Sequence, residues 1–147
     1  MKIDSQELFK EIDLIQGCIN RMAHNCFVIK GWALTLFAGV VAVSKAAVIN
    51  DFWLLVCTVL VPFWVFWLLD AFFLQTERKY RKMYAWVLKE RASGNSAYQY
   101  DLDPARFADQ VGSLFCTMFS RTLTLFYCIP TLMIFALIIR LFVCKGQ

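Results

Sequence analysis

Lys30 and Asp70 are the two side chains whose type and position raise a chemical question first. Each lies 20 residues from Asn50, one before it and one after it. Each also interrupts a long apolar run. If the chain folds back at Asn50-Asp51 as two helices, the ammonium and the carboxylate reach the same depth. A charge inside a hydrocarbon layer is costly unless it is paired. Lys30 and Asp70 therefore either form an ion pair or each snorkel to the same interface. Asp70 has a third use, as a proton relay or a cation ligand.

Near the C-terminal end, Ser113, Thr117, Ser120, Thr124, Tyr127 and Thr131 recur at steps of four and three, and Ile134, Ile138 and Leu141 continue the row. On a helix these residues share one face. A polar face running into an apolar ring suits a water-filled pore with a dewetting gate, so Thr117, Ser120, Thr124, Tyr127, Thr131, Ile134 and Ile138 are the pore-lining candidates. Hydroxyls in membrane helices also bond to neighbouring helices or to their own backbone, which is the competing reading.

A third group, Arg78, Lys79, Arg81 and Lys82 with Lys89 and Arg91, is interleaved with Tyr80, Tyr84 and Trp86. Aromatic rings beside cations suit nucleotides or single-stranded nucleic acid, by stacking and phosphate pairing. A basic stretch next to a membrane also binds anionic lipid. Enzyme chemistry has little to work with: there is one histidine, with no nucleophile motif and no usefully spaced pair of carboxylates. His24 with Cys18 and Cys26 fits no common zinc spacing, so neither metal nor cofactor is expected. Six cysteines without a C-x-x-C spacing read as small core residues.

The elements that carry these groups follow from hydropathy. The chain has 147 residues, of which 60% are hydrophobic, well above the usual share for a soluble domain. Phe52 to Leu69 and residues 122–139 are each 18 residues without a charge, close to the length that crosses a bilayer. The sequence predicts an all-α integral membrane protein with three transmembrane helices, an N-terminal amphipathic helix and a cytosolic extension of the second span. The boundaries expected are 3–25 for the amphipathic helix, 27–48 and 52–74 for the first two spans, and 75–92 for the basic extension. A loop over 93–103 and one long helix over 104–143, containing the third span, complete the chain. The second span should run out of the bilayer unbroken, because no helix breaker precedes Ser93-Gly94-Asn95. Pro62 and Pro130 should bend their helices. Asp103-Pro104 reads as a helix start, with Asp as N-cap and Pro in the first turn.

Leu8, Ile12, Ile15, Ile19, Met22, Cys26 and Ile29 alternate steps of four and three, a heptad seam. This seam serves either as a gate or oligomer contact through Leu8, Ile12, Ile15 and Ile19, or as the face that lies on the membrane or on the protein's own helices. A matching stripe on 80–88 (Tyr80, Met83, Tyr84, Val87, Leu88) needs a partner, and the amphipathic helix can supply it. Gly31, Thr35, Ala38 and Ala42 form a small-residue face that lets helices approach closely. Four Lys and Arg fall in residues 1–30, eight in 76–121, one between the first two spans and two at the C-terminal end. By the positive-inside rule the N-terminus and central loop are cytoplasmic and the C-terminus is periplasmic, with the chain in a bacterial inner membrane.

The string from Arg21 to Leu36 (RMAHNCFVIKGWALTL) resembles a pattern in small bacterial membrane proteins of anti-phage loci. Phe66 to Leu74 (FWLLDAFFL), followed by Glu77-Arg78, resembles it too. The family indicated is the Hailong-type membrane effector, and the likeness covers about residues 21–84. The matching positions Asn25, Lys30, Gly31, Trp32, Trp67, Asp70, Glu77 and Arg78 form its framework. The resemblance implies a tetrameric channel in the lipid bilayer, paired with a nucleotidyltransferase that makes a nucleotide or nucleic-acid signal. The expected function is a homo-oligomeric channel or pore-forming effector that depolarises the membrane. A non-conducting adaptor that recruits a soluble enzyme through its basic helix is the alternative.

Overall fold

The computed structural model describes residues 5–45 and 52–145; the side chains of 40, 41, 43–45, 52–59, 134, 137, 138 and 140–145 lie outside that description. Every regular element among the described residues is helical. Helix α1 spans Ser5–Lys45 and α2 spans Phe52–Ala92. A 3-10 helix follows at Pro104–Gln110, then α3 at Leu114–Met118 and α4 at Arg121–Lys145.

The amphipathic segment and the first apolar segment are one helix, because nothing between Arg21 and Lys30 stops propagation. Helix α2 likewise continues from its apolar half into the basic half without a break, and passes through Pro62. Each of these helices is 41 residues long, or about 60 Å at 1.5 Å per residue. They run antiparallel: Glu11 meets Arg91 at one end and Lys30 meets Asp70 further along. The turn expected at Asn50-Asp51 lies outside the described residues.

Two apolar cores hold the hairpin. In the first, Ile15 and Ile19 of α1 pack with Met83 and Val87 of α2 and with Phe107 of the 3-10 helix. The heptad seam is thus used within the protomer, and the stripe on α2 is its partner. Ile15 and Ile19 are buried there, whereas Leu8 and Ile12 are half-buried. Ile15 and Ile19 thus follow the alternative in which the seam lies on the protein's own helices. The second core joins Ala33, Phe63, Trp67, Ala71, Met118, Leu123 and Tyr127.

The single helix expected over 104–143 is three pieces. Asp103 caps the first, its carboxylate accepting from the Ala105 amide, but that turn is a 3-10 helix that ends at Val111 in extended conformation. Burial of Phe107 draws this piece onto the first core. Ser113 caps α3, and the chain breaks again at Phe119-Ser120 before α4. Helix α4 runs through Pro130.

Large apolar side chains stand exposed around the second core. They are Phe27, Val28, Trp32 and Leu34 on α1, Val61, Trp64, Val65, Leu68, Leu69 and Phe72 on α2, and Leu125, Ile129, Leu132 and Met133 on α4. Among the described residues one helical segment, Leu60–Ala92, is long and apolar enough to cross a membrane. The expected spans at 27–48 and 122–139 run partly through positions outside the described residues.

Candidate functional site

The polar centre of the apolar half is Asp70. Its α2 neighbours Trp67 and Ala71 are buried in the second core, and the Asp70 side chain has no exposure. Lys30 reaches it from α1, with Nζ 2.6 Å from Oδ2 and 2.7 Å from Oδ1. The lysine side chain keeps 24% of its surface, so the ammonium stays within reach of the outside while the carboxylate does not. A buried carboxylate held this way is stable only if its remaining lone pairs are met. Tyr127 of α4 meets one: its hydroxyl donates to Asp70 Oδ2 at 3.2 Å and lies 3.4 Å from the Phe66 carbonyl. One carboxylate therefore joins three helices.

Aromatic packing fixes Tyr127. Its ring stacks on Trp67 with centroids 5.6 Å apart and takes Phe63 edge-on at 5.3 Å. Trp67 is itself anchored, since its indole N–H donates to the Met118 carbonyl at 3.0 Å. Gln75 ties the approach to α3 by donating to the Gly112 carbonyl at 2.9 Å. Phe126 lies under the Lys30 ammonium at 5.9 Å. The Cys26 thiol donates to the Asp70 carbonyl oxygen at 3.8 Å.

The hydroxyl row takes a different place from the one its spacing implies. Thr117 and Tyr127 have no exposure. Thr117 donates to the Ser113 carbonyl and Thr131 to the Tyr127 carbonyl. The hydroxyl oxygens of Ser120 and Thr124 are buried without a hydrogen-bond partner. Thr117 and Tyr127 are thus buried within the protomer, while Ser120, Thr124 and Thr131 are half-buried. Periodicity gives a common face but not its direction, and α2 claims this one. The Ile134 and Ile138 side chains lie outside the described residues.

The basic cluster divides. Arg81 pairs with Glu77 one turn earlier at 2.7 Å and lines a groove of about 370 Å³ with Gln16, Ile19, Asn20, Ala23 and Tyr84. Lys82 is exposed and Arg78 and Lys79 are half-buried. Arg91 stands apart from these residues. Its Nε and Nη2 donate to the two Glu11 carboxylate oxygens at 2.9 and 2.8 Å. Neither side chain of that pair is appreciably exposed. Hydrogen bonding to Glu11 raises the Arg91 pKa above its ordinary value, against the opposing effect of burial. Sequence reasoning missed this pair because its members are 80 residues apart. It also missed Arg106, whose guanidinium lies 4.0 Å from the Tyr98 ring centre and 5.3 Å from that of Trp86. Among the described residues no three His, Cys, Asp or Glu side chains gather as a metal site would require.

Comparison of the chain with protein-family models, curated proteins and solved structures finds no match.

Proposed function

We propose that this chain is the subunit of a homo-oligomeric channel or pore-forming effector in a bacterial inner membrane. Its three crossings would be the apolar parts of α1, α2 and α4, with both water-side helical halves in the cytoplasm and the C-terminus in the periplasm. The carrying observation is the belt of exposed Phe, Trp, Leu, Val and Ile on three helices around the buried Lys30–Asp70–Tyr127 centre. Contiguous apolar surface of this kind needs lipid or another protein against it. Self-association has support on α1, where Gly31, Thr35, Ala38, Gly39 and Ala42 are exposed and a Cβ added at Gly31 or Gly39 would meet nothing within 4 Å. A lumen would lie between copies, because the hydroxyl row is used inside the protomer. The likeness of residues 21–84 to Hailong-type membrane effectors adds the setting: an anti-phage system in which a nucleotide or nucleic-acid signal opens the channel. Arg78, Lys79, Arg81 and Lys82 are the residues to receive it.

The inward turn of the hydroxyl row favours a second reading, a non-conducting membrane adaptor that recruits a soluble enzyme through the basic half of α2. Planar-bilayer recording of the purified chain separates the two. Single-channel currents support the channel; silence with and without oligonucleotides leaves the adaptor.

A further inference from the structure

We infer that residues 95–101 are a strap that locks the water-side arm of α1 onto α2, and that Glu11 is its catch. In the loop between α2 and the 3-10 helix, Tyr98 is held by Trp86 and Arg106, and the tethers to α1 centre on the Glu11 carboxylate and the Arg91 guanidinium. Arg91, at the end of α2, donates from Nη1 to the carbonyls of Asn95 and Ala97 at 2.6 and 3.1 Å. The same guanidinium grips Glu11 of α1 through its other two nitrogens. Glu11 Oε1 in turn accepts from the backbone N–H of Tyr100 at 3.2 Å. Further out, Gln99 donates to Glu7 Oε2 at 3.3 Å and the Tyr100 hydroxyl donates to the Glu7 carbonyl at 3.4 Å. The strap therefore touches α1 at Glu7 and Glu11, one helical turn apart.

The closed strap holds strain. Tyr98 and Tyr100 sit in the left-handed region at φ 58° and 61°, a conformation that a side chain with a Cβ rarely adopts. Tyr98 is fixed there by the Arg106 guanidinium stacked on its ring, and Tyr100 by its bond to Glu11. Loss of the Glu11 contact removes what keeps Tyr100 left-handed and leaves Arg91 as a buried charge without its partner. Both changes favour opening, so the strap and the arm move as one unit. The next ion pair, Lys30–Asp70, is 19 positions further along α1, with the core of Ile15, Ile19, Met83 and Val87 between them.

The test uses the full chain in detergent or nanodiscs, followed by hydrogen exchange and mass spectrometry. Tyr100→Pro alters neither member of the Glu11–Arg91 pair. It forbids the left-handed backbone and removes the N–H that Glu11 accepts from. Exchange of residues 5–15 is expected to rise about ten-fold or more, with residues 25–33 unchanged. Unchanged protection over 5–15 would overturn the coupling. Conversely, Glu11→Gln should raise exchange over 95–101 by a similar factor, and normal protection there would show that Glu11 is no catch. Should Glu11→Gln not fold, Arg91→Lys carries the same arm, because one ammonium cannot hold the carboxylate and both carbonyls at once. This outcome is independent of whether the chain conducts.

Discussion

Asp70 and Tyr127, 57 residues apart, meet at 3.2 Å in the interior of the protomer, and through that contact α4 is joined to an ion pair already shared by α1 and α2. The carboxylate accepts from two different helices while sitting on the third. This makes Asp70 the residue on which the arrangement of the apolar half depends.

Removing one charge from the Lys30–Asp70 pair leaves the other without a counter-charge, and for buried pairs that costs about 3–5 kcal/mol. Lys30→Met, which strands a carboxylate with no exposure, should lower thermal stability in detergent markedly, and Asp70→Asn somewhat less, because the lysine left behind retains exposure. The double variant Lys30→Met with Asp70→Asn should lose clearly less than the sum of the two single losses. A thermal-unfolding cycle checks this: additive losses in the double variant would mean that the pair contributes nothing as a pair.

Tyr127→Phe removes one hydrogen bond and keeps the stack on Trp67. The expected cost is about 1.5–3 kcal/mol, the size of a hydrogen bond to a charged group, read as a fall in the unfolding midpoint. Trp67→Phe should cost more, since it loses both the bond to Met118 and part of the stack.

Burial and then the neighbouring Cys18 thiol raise the Tyr80 pKa above its ordinary 10.0. The folded state thus holds this proton to higher pH than the unfolded chain does. Its contribution to stability is fully present below pH 10 and declines as pH rises beyond it. Stability measured against pH should therefore fall in that window, and Tyr80→Phe should flatten the fall. An unaltered profile would remove Tyr80 as the source.

Gly39→Leu and Gly31→Leu place a bulky side chain where the protomer itself offers no obstacle. Both variants should keep the protomer's helicity and reduce the mass of the detergent-purified complex. An unchanged assembly would take the small-residue face of α1 out of the contact between copies.

Much of the hairpin was legible because two antiparallel helices obey simple arithmetic. Equal distances from Asn50 put Lys30 opposite Asp70, and a seam at steps of four and three needed the complementary stripe on Tyr80, Met83, Tyr84 and Val87. The absence of any breaker between Leu74 and Ser93 predicted one unbroken α2. The third part of the chain was less readable. Asp103-Pro104 marked a start, but Val111-Gly112-Ser113 carries only a weak stop signal, and the breaks arise where Phe107 and Met118 are claimed by two separate cores. The direction of the hydroxyl face depended on α2, which periodicity does not see. Arg91 read as a member of the basic cluster because its partner Glu11 lies 80 residues away in the sequence. The left-handed turns at Tyr98 and Tyr100 fall on aromatic residues, where no glycine or asparagine announces them.

Membrane sidedness is the most direct test, because the proposal places the strap region and the C-terminal end of α4 on opposite faces of the bilayer. A single cysteine would be introduced at Ser96 or at Lys145 in a cysteine-free background and probed in intact cells with an impermeant maleimide. The Lys145→Cys chain should label at once, and the Ser96→Cys chain only after the inner membrane is permeabilised. Labelling of Ser96→Cys in intact cells, or protection of Lys145→Cys, would contradict three crossings with a cytoplasmic hairpin arm.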